Sequence, residues 1–157
     1  MRVGVTGHQN IPRPALATIE HNIREQLEDD SELVGVSSLA EGADQLFASI
    51  VLSLKRPLEV VIPSKDYETT FVNSESVDHY RTLLRRATKV YRMPFRKASE
   101  EAFFEAGKEI VNRSDRLLAV WDGEPAQGLG GTADIVAYAQ RSGVPVSIIW
   151  PKGLVRG

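Results

Sequence analysis

Strand-forming and helix-forming segments alternate along the chain, and this alternation constrains the fold more than any other feature. The strand-forming segments lie at Arg2–Thr6, Leu33–Ser37, Leu58–Ile62, Lys89–Arg92, Arg116–Trp121 and Val144–Trp150. Successive strands joined through helices form parallel sheets by right-handed crossovers. The sequence therefore predicts an α/β fold of the Rossmann-like kind: three layers around a doubly wound, mainly parallel sheet.

The segments between these strands carry apolar residues every three to four positions, as amphipathic helices do. Helices are expected at Pro14–Glu28, from about Ala43 to before Pro57, at Val77–Arg86, at Ser99–Asn112 and at Gly131–Gln140, with a short helical turn within 64–71. The fourth strand is short and polar, which places it near an edge of the sheet. A chain of 157 residues has the size of one domain, so we expect a single domain over residues 1–157.

Composition excludes several classes of site. The chain has no cysteine, which excludes disulfides, thiolate metal sites and cysteine nucleophiles. Its three histidines, His8, His21 and His79, lack metal-ligand spacing, so neither a metal nor a cofactor is expected. No apolar run reaches the ~18–20 residues that span a bilayer, and the amino terminus does not resemble a signal peptide. We therefore expect a cytoplasmic protein that does not enter membranes.

Three loops follow strands of the predicted sheet and lead into helices. Ligands of doubly wound sheets bind beyond the carboxyl ends of the strands, so these loops are the candidates. In the first, Gly4–Asn10, glycine allows backbone amides to approach a phosphate at a helix amino terminus. Gly7, His8 and Arg13 are expected to contact the ligand there; a tight strand-to-helix turn is the alternative.

The second and third loops repeat this arrangement. Ser38, Gly42 and Asp44 follow the second strand, where helix capping is the alternative role for Asp44. The third loop follows Trp121 and Asp122 and is rich in glycine, with Gly128, Gly130 and Gly131, before a helix. This is typical of an anion-binding nest whose candidate residues are Gly130, Gly131 and Thr132, and flexibility alone is the alternative. Together the three loops predict a pocket for a phosphorylated ligand such as a nucleotide.

The order of these elements resembles the SLOG superfamily. The superfamily groups the Rossmann-like domain of DNA-processing protein A with the lonely-guy cytokinin-activating phosphoribohydrolases and related proteins named as lysine decarboxylases. Leu39–Asp44 is similar to the Gly-Leu-Ala-x-Gly-x-Asp turn of the DNA-processing branch, and Gly128–Asp134 is similar to the Gly-Gly-x-Gly-Thr loop of the phosphoribohydrolase branch. The resemblance covers nearly the whole chain and implies a nucleotide-binding domain.

The hydrolytic residues of the phosphoribohydrolase branch do not carry over. Asp134 stands where that branch has its first glutamate, and Ile135 follows it. The position of the catalytic arginine is occupied by Ala106 or Gly107, with Lys108 and Arg113 out of register. The resemblance therefore implies the phosphate-binding loop without the catalytic set.

Two hypotheses place a small molecule in the pocket. In the first, the chain binds a nucleotide as a sensor or carrier. In the second, it hydrolyses the N-glycosidic bond of a nucleoside monophosphate, which needs a carboxylate near the anomeric carbon. Asp134, Asp122 and Glu41 are the candidate catalytic residues, with Arg113 or Lys108 holding the phosphate.

A third hypothesis concerns a basic segment. Residues 81–97 hold seven basic side chains and no acidic one, although the whole chain has a net charge of −2. Such a patch binds nucleic-acid phosphates, and Tyr80, Tyr91 and Phe95 could stack on bases. The alternatives are a solvated helix face or pairing with the acidic body of a second subunit. The adjacent Phe103 and Phe104 also suggest a homo-oligomer, because one ring would need a cover.

Overall fold

The computed structural model describes residues 1–125 and 129–154. Six strands and five helices alternate through these residues, with a 3₁₀ turn at Tyr67–Thr70. The strands are β1 (Arg2–Gly7), β2 (Val34–Ser37), β3 (Leu58–Ile62), β4 (Lys89–Arg92), β5 (Arg116–Val120) and β6 (Val146–Ile149). The helices are α1 (Arg13–Leu27), α2 (Ala43–Ser53), α3 (Ser74–Arg85), α4 (Glu100–Asn112) and α5 (Thr132–Arg141).

All strand pairs are parallel, and the sheet has the order β4-β3-β2-β1-β5-β6. From β1 to β4 the chain moves in one direction across the sheet, and from β4 through β5 to β6 it moves in the other. Right-handed crossovers therefore put α1, α2 and α3 on one face and α4 and α5 on the opposite face. This arrangement confirms the predicted doubly wound sheet and the edge position of β4.

Each face of the sheet has its own apolar core. The larger core joins α1–α3 to the sheet, and the smaller one joins α4 and α5 to it. The inward positions of α5 are buried: Ile135, Val136 and Ala139. On α1 the apolar side chain of Leu16 is 41% exposed, and Ala15 is buried instead. The smaller Ala15 continues the four-residue spacing of the buried residues that follow it.

Helix α3 begins three residues earlier than the sequence pattern predicts. Asn73 precedes the helix, and its side-chain oxygen accepts the N–H of Ser76 at 2.8 Å. This cap satisfies one of the backbone donors that a helix leaves unpaired at its amino terminus. The apolar pattern begins only in the next turn, which explains the late prediction.

Phe103 and Phe104 do not leave an aromatic ring uncovered. Both are half-buried, Phe103 against the larger core and Phe104 against the smaller one. The ammonium of Lys108 lies 4.8 Å from the centre of the Phe104 ring. The oligomeric state stays a prediction. No helix in the described part of the chain has the length and apolar character needed to cross a membrane.

Candidate ligand-binding cleft

A cleft of about 610 Å³ opens at the carboxyl edge of the sheet. It lies where strand order reverses, since β1 and β5 are neighbours whose following helices pack on opposite faces. Its walls come from the segments after β1, β2, β3 and β5 and from one side of α4. This is the position at which doubly wound sheets bind their ligands.

The floor of the cleft depends on close backbone packing at Gly42. Gly42 has φ +87°, and a Cβ at this position would lie 2.3 Å from the carbonyl oxygen of Gln9. The N–H of Ala43 donates to the carbonyl oxygen of His8 at 3.1 Å, which ties the start of α2 to the loop after β1. Gly42 therefore supports the site from behind and does not line it.

Asp44 is a buried carboxyl group that lines the cleft. Its side chain is in the first turn of α2, where Oδ2 accepts the N–H of Ala40 at 3.3 Å. Burial raises the pKa of Asp44 to about 7, although backbone hydrogen bonds from Ala40 and Ser38 act in the opposite direction. The cleft thus contains a carboxyl group that exchanges a proton near neutral pH.

His8 and Asp122 form a buried pair beside the cleft. Nε2 of His8 lies 3.1 Å from Oδ1 of Asp122, and the two side chains are 7% and 8% exposed. The N–H of Asp122 approaches the same nitrogen at 3.2 Å. The ring of Trp150 packs edge-on against the imidazole at 5.4 Å between centroids. The pair joins the loops after β1 and β5, and of its two members His8 lines the cleft.

The start of α5 forms the opposite end of the cleft. Gly130, Gly131, Thr132 and Ala133 line it, and Gly131 is the amino-terminal cap residue without a side-chain cap. The N–H of Gly130 donates to Oδ2 of Asp134 at 3.1 Å, which fixes the turn before the helix. Gly128 lies outside the described residues. The backbone N–H groups of such a helix start, together with its dipole, attract an anion.

Of the residues predicted from the sequence, the structure brings one group to the cleft wall and leaves the others outside it. The wall includes Gly7, His8, Ser38, Glu41, Asp44, Gly130, Gly131 and Thr132. Gly42, Asp122 and Asp134 support the wall through the contacts above. Arg13 is exposed at the start of α1 and does not line the cleft.

Arg113 lies at the opposite edge of the sheet. It follows α4, which runs back to the amino ends of the strands, and its carbonyl oxygen accepts Nε of Arg2, the first residue of β1, at 2.7 Å. Its own Nε donates to Glu109 at 2.7 Å, and its guanidinium lies 3.5 Å from the centre of the Tyr91 ring. The structure therefore does not place Arg113 where it was predicted to hold a phosphate.

The carboxylates predicted as catalytic are all engaged by the protein. Glu41 accepts Oγ of Ser76 at 2.5 Å and Nδ2 of Asn73 at 3.0 Å, which links the start of α2 to the start of α3. Asp134 holds Gly130, and Asp122 holds His8. Asp44 lines the same cleft, and burial raises its pKa.

The three loops predicted to bind the ligand do not include the aromatic end of the cleft. Tyr67 and Phe71 follow β3, and they line the cleft with Thr70 and with Phe103 of α4. Tyr67 is 4% exposed, and its ring centroid lies 5.2 Å from that of Phe71. The four-residue spacing of Tyr67 and Phe71 just after a strand was the available signal.

The basic segment 81–97 forms an exposed surface. Arg81 pairs with Glu68 at 2.8 Å, while the other basic side chains of the segment make no ion pair with any described residue: Arg85, Arg86, Lys89, Arg92, Arg96 and Lys97. All seven are exposed. Two of the predicted stacking residues are already covered, because Tyr80 is 2% exposed and Tyr91 lies beneath Arg113.

No group of three His, Cys, Asp or Glu side chains that could hold a metal ion occurs within residues 1–125 and 129–154. No known family model matches the chain, and no curated protein sequence matches it.

Solved structures do match. DNA processing protein A from Streptococcus pneumoniae superposes with a TM-score of 0.71 at 19% identity, over 98% of this chain and 51% of that one. DNA processing protein A from Helicobacter pylori, described by its single-stranded DNA binding mode, gives 0.72 at 16% identity over 98% and 66%. A structural-genomics target, TM1055, gives 0.60 at 15% identity over 92% and 71%.

The chain thus spans about half the length of the Streptococcus protein that it matches and 66% of the Helicobacter chain. At these identities the likeness is one of fold. It confirms the predicted Rossmann-like fold, which this chain shares with these structures.

Proposed function

We propose that this chain binds a nucleotide, or a related phosphorylated ligand, in the cleft at the carboxyl edge of its sheet, as a sensor or carrier. The observation that carries the proposal is the pairing of two different ends within one cleft. The start of α5 offers backbone donors at one end, and the aromatic residues after β3 lie at the other. A nucleotide has the matching two ends, a phosphate and a flat base.

The cleft suits a ligand with few phosphates. No lysine or arginine from the described ranges lines it, whereas Glu41, Asp44 and Glu124 do. A helix amino terminus supplies roughly half a unit of positive charge, which balances only part of one phosphate. A nucleoside monophosphate therefore fits the charge of the cleft better than a triphosphate does.

A thermal-shift screen with nucleoside mono-, di- and triphosphates tests the proposal. A ligand that binds only the folded state raises Tm by mass action. At a ligand concentration of 100 times Kd, the free energy of unfolding increases by about 2.7 kcal/mol. We expect a monophosphate to raise Tm at least as much as the matching triphosphate. An unchanged Tm with every nucleotide would contradict the proposal.

Two variants at the same position isolate the phosphate. Gly131 has φ −69°, a backbone conformation open to any side chain. Gly131→Glu places a carboxylate at the helix start, and Gly131→Gln adds a side chain of the same size without charge. We expect the glutamate variant to lose at least tenfold more affinity than the glutamine variant. Equal affinities of the two variants would contradict the placement of the phosphate at this end of the cleft.

The protein–ligand samples of the thermal-shift screen also test the hydrolase alternative. Chromatography of each stabilising ligand reveals whether a free base is released. An intact ligand favours a binding protein, and a released base favours N-glycosidic hydrolysis. Because Asp44 lines the cleft with a pKa raised to about 7, Asp44→Asn is the variant to test first if a base is released.

A second candidate function is nucleic-acid binding through the basic surface of residues 81–97. The observation favouring it is the set of exposed basic side chains without ion pairs, which reaches the carboxyl edge at Arg92, Arg96 and Lys97. The loop after β4 is joined to the loop after β3 there, since the N–H of Lys65 donates to Phe95 at 3.0 Å. The single-stranded DNA binding of the Helicobacter protein supports the same candidate.

Fluorescence anisotropy with a labelled single-stranded oligonucleotide tests this candidate. On single strands, the salt slope falls by about 0.7 for each phosphate that the protein no longer neutralises. Arg96→Ala with Lys97→Ala should weaken binding and flatten the slope, whereas Arg81→Ala is the control because Arg81 already pairs with Glu68. Absence of binding at low salt would end this candidate.

A further inference from the structure

The aromatic end of the cleft is organised around Tyr67. Its ring lies 5.2 Å from Phe71, 5.6 Å from Tyr80 and 6.3 Å from Phe103, measured between centroids. Phe71 and Phe103 are half-buried and line the cleft, while Tyr80 packs behind them and does not line it. Such rings offer stacking surfaces and edges to a flat ligand.

The Tyr67 hydroxyl has no hydrogen-bond partner among the described residues, although the side chain is only 4% exposed. It is not sealed from solvent either, because Nε of Arg116 is the sole fully enclosed polar side-chain atom of those residues without a partner. Since Tyr67 lines the cleft, its hydroxyl has an outlet there. A buried hydroxyl without a partner is costly unless water or a ligand completes it.

Asp44 lines the same cleft as Tyr67 and interacts electrostatically with its hydroxyl. Burial raises the pKa of Tyr67 well above its usual value, and the charge of Asp44 raises it further. The Asp44 side chain is 9% exposed and also lines the cleft. A carboxyl group and a phenol therefore line the same cleft as the aromatic residues.

The other titratable groups along the cleft are occupied or distant from this pair. His8 pairs with Asp122 in the loops after β1 and β5, and Glu41 is held by Ser76 and Asn73 at the start of α3. Glu124 is on the exposed segment after β5, and Tyr80 is behind the aromatic residues. No described lysine or arginine lines the cleft near Asp44.

We infer that Asp44 and Tyr67 select the base of the ligand: Asp44 accepts a hydrogen bond from an exocyclic amino group, and Tyr67 donates one to the neighbouring ring nitrogen. This inference rests on the proposed nucleotide-binding function and adds the class of base. Adenine and cytosine carry an amino group beside a ring nitrogen acceptor, and hypoxanthine carries a carbonyl in place of the amino group. A carboxylate facing that carbonyl has no donor to bind.

Calorimetric titration of the full chain with three ligands tests the inference. The ligands are adenosine 5′-monophosphate, inosine 5′-monophosphate and ribose 5-phosphate, which share the same phosphate. At pH 8, where Asp44 is largely ionised, we expect the adenosine nucleotide to bind about tenfold more tightly than the other two, as one good hydrogen bond allows.

Two variants and one control locate the effect. Tyr67→Phe and Asp44→Asn should each reduce the affinity for adenosine 5′-monophosphate by about tenfold and leave ribose 5-phosphate unchanged. Tyr80→Phe removes a hydroxyl from the same aromatic cluster outside the cleft and should change neither affinity. Circular dichroism and Tm of each variant establish that it is folded, and the two variants supply independent readings.

The pH dependence of the preference for the adenosine nucleotide tests the role of Asp44 further. Lowering the pH from 8 to 6 protonates Asp44, so the preference for the adenosine nucleotide should shrink in the natural protein and stay constant in Asp44→Asn. Ribose 5-phosphate corrects for titration of the phosphate itself.

The outcomes separate the two claims. If all three ligands bind equally, or if both variants weaken ribose 5-phosphate as much as the adenosine nucleotide, the base-reading role is overturned while nucleotide binding stands. If no nucleotide of any base binds, the proposed function fails and this inference fails with it.

Discussion

The two edges of the sheet hold their polar groups in opposite ways. At the amino edge, Arg2 binds Glu59 through both guanidinium ends, donates from Nε to the carbonyl oxygen of Arg113, and has its own N–H held by Asp115 at 2.8 Å. At the carboxyl edge, the Tyr67 hydroxyl faces a cleft without a partner in the described structure. Polar groups with hydrogen-bond partners in the protein stabilise the fold, whereas a polar group without one is available to bind a ligand.

The buried carboxyl groups of the two edges report this difference through their pKa values. Hydrogen bonds from Arg2 hold the pKa of Glu59 below its usual value, although burial acts against them. Burial raises the pKa of Asp44 to about 7. Ionised Glu59 therefore stabilises the folded chain, and ionised Asp44 destabilises it. Functional sites commonly reduce the stability of the folded protein, because they contain polar groups that bind a ligand and do not stabilise the fold.

The largest expected effect comes from removing the close approach behind the cleft. Gly42→Ala should destabilise the chain by ~3 kcal/mol or more, because the new Cβ meets the Gln9 carbonyl and the backbone has positive φ. Gly123→Ala is the matched control, since Gly123 has the same φ of +87° with nothing within 4 Å. The control should lose ~1 kcal/mol in chemical unfolding. Similar losses would mean that backbone conformation alone governs Gly42.

Asp44→Asn should stabilise the chain at pH 8 by roughly 1–3 kcal/mol. The folded-state pKa of about 7 lies above the usual 3.8, so the folded chain keeps a proton that the unfolded chain releases. Stability therefore falls as pH rises from about 3.8 to about 7 and then levels. The asparagine variant lacks this slope. Unfolding free energies at pH 4.5, 6 and 8 measure it, and parallel curves for both proteins would contradict the raised pKa.

Glu59→Gln should have a smaller effect of the opposite sign, a loss of about 1–2 kcal/mol at pH 7. The lowered pKa of Glu59 means that its stabilising contribution is complete above its usual pKa of 4.5 and is lost as pH falls through the folded value. The variant and the natural chain should therefore converge in acid. Urea unfolding at pH 7 and at pH 3 measures this, and a constant difference would assign the effect to packing.

The fold could be predicted from local pattern because each βα unit carries its own signals. The strand β4 was placed at an edge from its polar sequence, and the α5 loop was recognised from Gly130, Gly131 and Thr132. The burial of Asp44 and Tyr67 in one cleft could not be predicted in this way. The two residues follow different strands, and the burial that shifts the Asp44 pKa comes from tertiary packing of all the surrounding segments.

Arg113, at the amino edge of the sheet, is a second residue whose position was not predicted from the local sequence. Its nearness in sequence to the arginine position of the phosphoribohydrolase branch suggested a phosphate ligand, but Arg113 follows the end of α4 and lies at the amino edge. We expect Arg113→Ala to cost about 1 kcal/mol of stability, from the ion pair with Glu109 and the contact with Tyr91, and to leave nucleotide affinity unchanged. Calorimetric titration with the same nucleotide compares the affinity of Arg113→Ala with that of Gly131→Glu. A loss of affinity in Arg113→Ala equal to that of Gly131→Glu would move the anion to the amino edge and reverse the assignment of the two edges.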